Sequence, residues 1–254
     1  MREFCSADPK RLYGAPLVSV YDIKAGIKEM QRGHSMGLKG AMIWQVPDPR
    51  LPFTDPHYEP LWAACAEAGA PVICHILTGH CYIKTGQKPG LQGLKDAVNA
   101  KTNDSANTLF DFIFSGAFDR YPKLRLLLAE SEIGWLPFML QQWDYYYNRF
   151  KGVNPLPINK NPSEYFQRQV FGTFFRDTVA GHHFEWWGQD NCMWSNDYPH
   201  GNSTWPDSRK YIDRDLGHLP ADVRRKLVCT NVAKLYDMEI PQPLSTATES
   251  AAIH

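Results

Sequence analysis

Short apolar runs alternate with amphipathic stretches along this chain, the pattern of strands followed by helices. Leu12–Val20 reads as a strand beginning near Leu17, because Pro16 is tolerated only at a strand start. Asp22 can cap a helix to about Met36, with Ala25, Ile27 and Met30 among its apolar positions and Gly37 ending it. Leu38–Val46 is a second strand, closed by the Pro47–Pro49 turn. A helix from Thr54 or Asp55 to Ala68 places Leu61, Trp62, Cys65 and Ala68 on one face, with Gly69 as its C-cap. Ala70–Leu77 is a near-continuous apolar run, as expected of a parallel strand buried on both faces.

A long polar connection from Thr78 to about Ser105 follows, carrying Gly79, Gly86, Gly90 and Gly93. A loop of that length is usually functional, often a lid. The spacing then predicts a helix over Asn107–Phe118, a strand over Leu124–Ala129 tipped by Glu130, and an aromatic helix over Trp135–Phe150. Beyond the loop Asn154–Pro162 come a strand at Gln169–Phe175, a helix at Asp177–Trp187 and a strand at Asn191–Ser195. Trp205–Asp215 and Pro220–Tyr236 read as helices, and the Ser/Thr/Ala-rich tail from Pro241 as frayed. The sum is about six strand–helix units in one domain over 1–240, with a flexible tail at 241–254. Such alternation means a parallel α/β protein, and the pattern fits a doubly wound sheet or an eight-fold barrel. No Gly-x-Gly-x-x-Gly or Walker-type loop follows the first strand, which disfavours nucleotide binding.

Composition narrows the class. With 43% hydrophobic and 21% charged residues, the 254-residue chain can bury a substantial core. Lys+Arg and Asp+Glu balance at 27 each without a basic stripe, so nucleic acid is not an expected partner. No apolar run reaches membrane-span length, and the N-terminus lacks a secretory core. The six cysteines form no Cys-x-x-Cys pair, and several sit in apolar runs as reduced thiols do, so the cytoplasm is the expected compartment.

Three strands finish in a group that can bind a metal or move a proton: His75, Glu130 and Asp197. Asp197 ends the run Asn-Cys-Met-Trp-Ser-Asn-Asp-Tyr-Pro-His, in which Pro199 turns the chain and keeps His200 near the carboxylate. Strand C-termini converge on one mouth in a barrel, and a divalent ion accepts such nitrogen and oxygen donors. Each residue alone has a plainer explanation: a hydrogen-bonded core histidine, a turn cap, an Asp starting a turn. Their shared position at strand ends favours a site. His80 could line the pocket from the long connection, and Arg176 could pair with a substrate carboxylate, although a structural ion pair is the plainer role. His182 and His183 are adjacent on a helix and face apart, and His34, His57 and His218 read as surface or cap residues. No Gly-x-Ser-x-Gly elbow is present.

Pro71-Val-Ile-Cys-His75, Leu124-Arg-Leu-Leu-Leu-Ala-Glu130-Ser-Glu-Ile-Gly134-Trp135-Leu-Pro137 and Met193-Trp-Ser-Asn-Asp197-Tyr-Pro-His200 together resemble the amidohydrolase-related branch of the amidohydrolase superfamily. That branch includes aminocarboxymuconate-semialdehyde decarboxylase and the resorcylate-type decarboxylases. The resemblance spans roughly Asp8 to Tyr236 and implies a metal-dependent, TIM-barrel-like fold, in many members a homodimer. It implies that His75 is a metal ligand at strand five, and that Asp197 is both ligand and proton acceptor at strand eight. Better-known members carry a proton-handling histidine at the tip of strand six, where this chain has Glu130. A carboxylate can serve there if burial raises its pKa. Nothing before Leu12 matches the family's first-strand His-x-His or acid-x-His pair, so the barrel is expected to be incomplete, about six of eight units. Met1 is then expected to lie inside a longer reading frame, or the protein to be a shortened one, with weak metal binding either way. No lysine stands at Ile43-Trp-Gln-Val-Pro, where binuclear members carry a carboxylated one, so one divalent ion is expected, zinc first and manganese second.

The expected function is therefore non-oxidative decarboxylation of an aromatic or unsaturated carboxylic acid. His75 and Asp197 would hold the metal, Glu130 and Asp197 would move protons, and His80, Arg176 and His200 would meet a small-molecule substrate. Hydrolysis of an amide, lactone or related bond is the alternative, and a non-catalytic remnant the competing class.

Overall fold

The computed structural model describes residues 1–80 and 90–240. Five parallel strands form one sheet: β1 (Ala41–Val46), β2 (Val72–Gly79), β3 (Leu126–Ala129), β4 (Val170–Phe174) and β5 (Cys192–Trp194). They lie side by side in chain order, β1-β2-β3-β4-β5. A doubly wound sheet reverses its order at a switch point, whereas a barrel wall does not, so this is the barrel-type alternative. The fold is an arc of a TIM barrel.

Helices follow the strands because amphipathic segments cover the outer face. Asp22 caps α1 (Ile23–Ser35) by accepting a hydrogen bond from the Ala25 amide at 3.0 Å. A 3₁₀ turn at Pro56–Tyr58, capped by Asp55, leads into α2 (Glu59–Ala68), which Gly69 ends in a left-handed conformation. Further helices are α3 (Leu91–Asn99), α4 (Ser105–Phe114), α5 (Leu136–Phe150), α6 (Pro162–Gln169), α7 (Thr178–His183), α8 (Ser208–Leu216) and α9 (Asn231–Tyr236).

Alternation along each strand splits the core into two layers. Ile43, Val72, Cys74, Leu126, Leu128, Val170, Phe174 and Cys192 face the helices within the large cluster, with Trp62, Phe112 and Phe166. Ile73, Leu127, Phe171 and Met193 point the other way, into the concave side, with Met42 and Ala129 packed against them. His75 belongs to this second set, two residues beyond Ile73 on the same strand face.

Several sequence expectations change. Helix α6 stands at Pro162–Gln169, where the pattern predicts no helix. The helix expected over Asn107–Phe118 is α4 followed by a separate short helix at Ala117–Arg120. The first strand, expected from Leu17, is present only as an isolated parallel bridge, Leu17 to Met42. The Val18 amide donates to the Met42 carbonyl (2.8 Å) and the Met42 amide to the Pro16 carbonyl (2.9 Å), so the segment seals the edge of β1 without extending as a strand. The long polar connection from Thr78 is not structureless: β2 runs to Gly79, α3 follows, and a π-turn at Ala100–Asp104 joins it to α4. Only 81–89 of that stretch, and the tail at 241–254, lie outside the described residues. Among the described residues no helix is long and apolar enough to cross a membrane.

Candidate active site

The concave face carries His75 upward from its apolar floor. Its register partners are Trp44 on β1 and Ala129 on β3, so one neighbour is a large ring and the other a methyl group. The Nδ1 of His75 lies 2.8 Å from the Ile76 carbonyl, which can only accept, so Nδ1 carries a proton. Nε2 then faces Glu130 Oε1 at 2.9 Å. That arrangement fixes the ring's orientation, and a backbone carbonyl in this role is the usual support of a metal-ligating histidine.

Glu130 follows the last residue of β3 with φ of 60°, a left-handed conformation that costs a non-glycine residue roughly 1–2 kcal/mol. Its amide donates to Thr173 Oγ1 on β4 at 2.7 Å, which holds the turn open at that angle. Beyond it, the Ile133 and Gly134 amides donate to Asp177 Oδ2 at 2.7 and 2.6 Å, while Asp177 Oδ1 accepts from Ala180 at the start of α7. One buried carboxylate thus ties the loop after β3 to the helix after β4.

Asp197 repeats the device beyond β5, with φ of 58°. The His200 amide donates to the Asp197 carbonyl at 2.9 Å and closes the turn, and the His200 ring returns to Asp197, Nδ1 to Oδ1 at 2.9 Å. Carboxylate oxygens of Glu130 and Asp197 and a ring nitrogen of His200 lie within 4.8 Å of one another. Asp197's side chain is 5% exposed and His200's 62%, so the cluster runs from a buried acid to an open imidazole.

The electrostatics follow from that placement. The hydrogen bond that His75 donates to Glu130 holds the His75 pKa above its ordinary value, against the opposing effect of burial. Burial pushes Glu130 up, but the hydrogen bond and charge of His75 outweigh it and leave its carboxyl below the usual range. Burial and then the facing Glu130 charge raise Asp197, only partly offset by His200. Facing carboxylates disfavour each other's ionised form, and a shared proton or a bound cation relieves that repulsion. With a supported imidazole beside two converging acids, the donor set fits a divalent ion.

The other two candidates have partners of their own. His80 Nδ1 lies 3.7 Å from Asp48 Oδ2, and Arg50 grips that carboxylate at 2.7 Å. Arg176 stacks over Tyr211, 4.8 Å from the ring centre, and its Nη2 donates to the Ser203 carbonyl at 3.3 Å. So the structure brings together His75, Glu130, Asp197 and His200, and leaves His80 and Arg176 on other partners. Sequence reasoning passed over Thr173 and Trp44. Strand alternation carried a signal for both, since each is in step with the concave residues of its own strand.

The sequence profile described as amidohydrolase matches residues 1–238. The chain belongs to the amidohydrolase family. Three solved structures resemble this amidohydrolase. The 5-carboxyvanillate decarboxylase of Sphingomonas paucimobilis is 24% identical with a TM-score of 0.77, over 94% of this chain and 70% of that one. The 2,6-dihydroxybenzoate decarboxylase of Rhizobium is 20% identical with a TM-score of 0.73, over 93% and 74%. A dihydroxybenzoic acid decarboxylase of Polaromonas, solved with manganese and the inhibitor 2-nitroresorcinol, is 18% identical with a TM-score of 0.71, over 93% and 72%. At these identities the likeness shows the amidohydrolase fold. Among curated proteins no match is found.

Proposed function

We propose that this amidohydrolase catalyses non-oxidative decarboxylation of an aromatic or unsaturated carboxylic acid. The observation that carries the proposal is the convergence of Glu130, Asp197 and His200, whose ligand atoms lie within 4.8 Å of one another, with His75 Nε2 2.9 Å from Glu130 Oε1. Decarboxylation breaks the bond between ring and carboxylate, leaves the electron pair on the ring carbon and needs a proton there as carbon dioxide departs. A carboxylate that takes up a proton and gives it back beside the ring can supply it. Asp197 fills that part. His200, touching Asp197 and open to solvent, returns the proton afterwards. Glu130 keeps His75 oriented and its own charge beside Asp197.

Glu130, Asp197 and His200 each place a ligand atom within 4.8 Å of the others, and His75 stands 2.9 Å from Glu130. His75 and Asp197 would hold one divalent ion there. A bound ion supplies fixed positive charge for the substrate's carboxylate. Mixed imidazole and carboxylate donors suit zinc or manganese, and the Polaromonas neighbour holds manganese. The described cysteines are free, which supports a cytoplasmic setting. A small-molecule substrate and a homodimer are what the family resemblance implies.

Metal-dependent hydrolysis is the second reading, favoured by the family's description and served by the same ligands. A panel of aromatic and unsaturated acids, amides and lactones, assayed with metal-loaded protein, separates the two. Carbon dioxide release from an acid supports decarboxylation, and cleavage of amides or lactones with no release overturns it. No turnover of any member, with no metal bound, would mark a remnant that keeps only the fold.

A further inference from the structure

Trp44 is the large neighbour of His75 across the sheet. The two are in parallel register, so both side chains rise from the concave face. Trp44 is half-buried, yet it stands apart from both buried apolar clusters of the described residues. Its aromatic partner is Tyr21, which meets it edge to face with centroids 5.2 Å apart at 86°. Tyr21 is itself 50% exposed, and the carbonyl of the preceding Val20 lies 2.8 Å from the His57 ring. On the other side of His75 the register partner is Ala129, which leaves the floor low there. An indole braced at its edge, beside the acid–histidine cluster and, among the described residues, outside both apolar clusters, is a platform for a flat ring.

We infer that Trp44, braced by Tyr21, is the residue that selects an aromatic ring for this site. The ring lies against the indole, and its carboxylate reaches toward His75 and Asp197. Trp44 is thus a specificity-determining residue. This rests on the decarboxylase reading for the carboxylate, but not for the ring.

The test is calorimetric, on the manganese-loaded protein, with two probes that cannot react. 2-Nitroresorcinol offers a ring without a carboxylate, and acetate offers a carboxylate without a ring. Trp44→Leu is expected to weaken 2-nitroresorcinol about tenfold and to leave acetate unchanged, while Trp44→Phe stays within about threefold of the parent for both. Far-ultraviolet circular dichroism and the melting temperature check that each variant is folded. Equal affinity for 2-nitroresorcinol in the parent and a folded Trp44→Leu overturns the inference. So does a parent protein that binds no 2-nitroresorcinol, or a loss of acetate binding matching the loss of the ring probe. Ring binding through Trp44 in a protein that releases no carbon dioxide from any acid would sink the decarboxylase reading and leave the platform standing.

Discussion

Glu130 and Asp197 face each other from the ends of β3 and β5 through the same backbone device, a left-handed residue with φ of 60° in one and 58° in the other. Neither is a glycine, so each turn stores conformational strain in the residue that carries the acid. The strain is held by neighbours: Thr173 grips the Glu130 amide, and the turn closed by His200 grips Asp197. Strain and like charge at one point are what a site built for reaction, rather than for stability, retains.

Neutralising Asp197 therefore trades function for stability. Its raised pKa means that folding disfavours the ionised carboxylate, so that penalty is present above the folded pKa and absent well below it. Asparagine also tolerates the left-handed conformation better than most residues. Metal-free Asp197→Asn is expected to gain about 1 kcal/mol near pH 8, read by urea unfolding, and to lose at least about a hundredfold in turnover. Glu130→Gln should lose comparable activity, and its His75 should titrate at lower pH by NMR once its charged partner is gone.

Metal affinity should rise with pH. In the metal-free protein His75 is held toward its protonated form by Glu130, and Asp197 toward its neutral form by burial and Glu130. An ion entering this cluster must displace those protons. Titrations with manganese are expected to show tighter binding at pH 8 than at pH 6, with protons released on binding. Affinity independent of pH would mean that these groups are not the ligands.

Away from the site, Arg125 joins two helix ends. Its Nη1 donates to the Leu235 carbonyl of α9 at 2.9 Å and its Nη2 to the Gly69 carbonyl just beyond α2. Cations at helix C-termini satisfy unpaired carbonyls and the helix dipole. Burial lowers the Arg125 pKa, a sign of the desolvation this placement carries. Arg125→Ala should lower stability by about 1–3 kcal/mol with turnover per folded molecule unchanged.

Asp119 gives the acid limb of stability. Burial pushes its carboxyl up, but hydrogen bonds from Tyr165, Lys160 and the Asn159 amide outweigh that and hold it below the ordinary value. The Tyr165 hydroxyl is correspondingly pushed up to about 12, by burial first and Asp119 second. A depressed folded pKa contributes stability that is complete above the unfolded pKa and disappears as pH falls through the folded one. The stability gap between the parent and Asp119→Asn should be full at pH 6 and narrow below about pH 4.

How far the sequence reaches is clear from particular segments. The runs that became β1 to β5 are mostly apolar on both faces, so composition alone marks them. Leu17–Val20 has the same composition, but Pro16 and its edge position leave only one bridge, and edge status is a tertiary property. Helix α3 was hidden because its apolar positions are exposed, Leu91 at 83% and Leu94 at 64%, so its composition reads as a polar connection. Helix α6 carried a legible signal, Pro162 at its first turn and a capping box of Asn161 with Glu164. At the site, His75, Glu130 and Asp197 are legible because strand ends share one mouth. The stacking of Arg176 on Tyr211 and the register of Trp44 with His75 are not, since both depend on how distant segments are placed.

The most direct measurement is calorimetric titration of manganese into the parent, His75→Ala and Asp197→Asn proteins, with the bound ion counted by elemental analysis. One ion per chain in the parent, and binding weakened at least tenfold in each variant, is the expected result. Parent protein that takes up no ion, or variants that bind it as well as the parent does, would contradict a metal centre at His75 and Asp197.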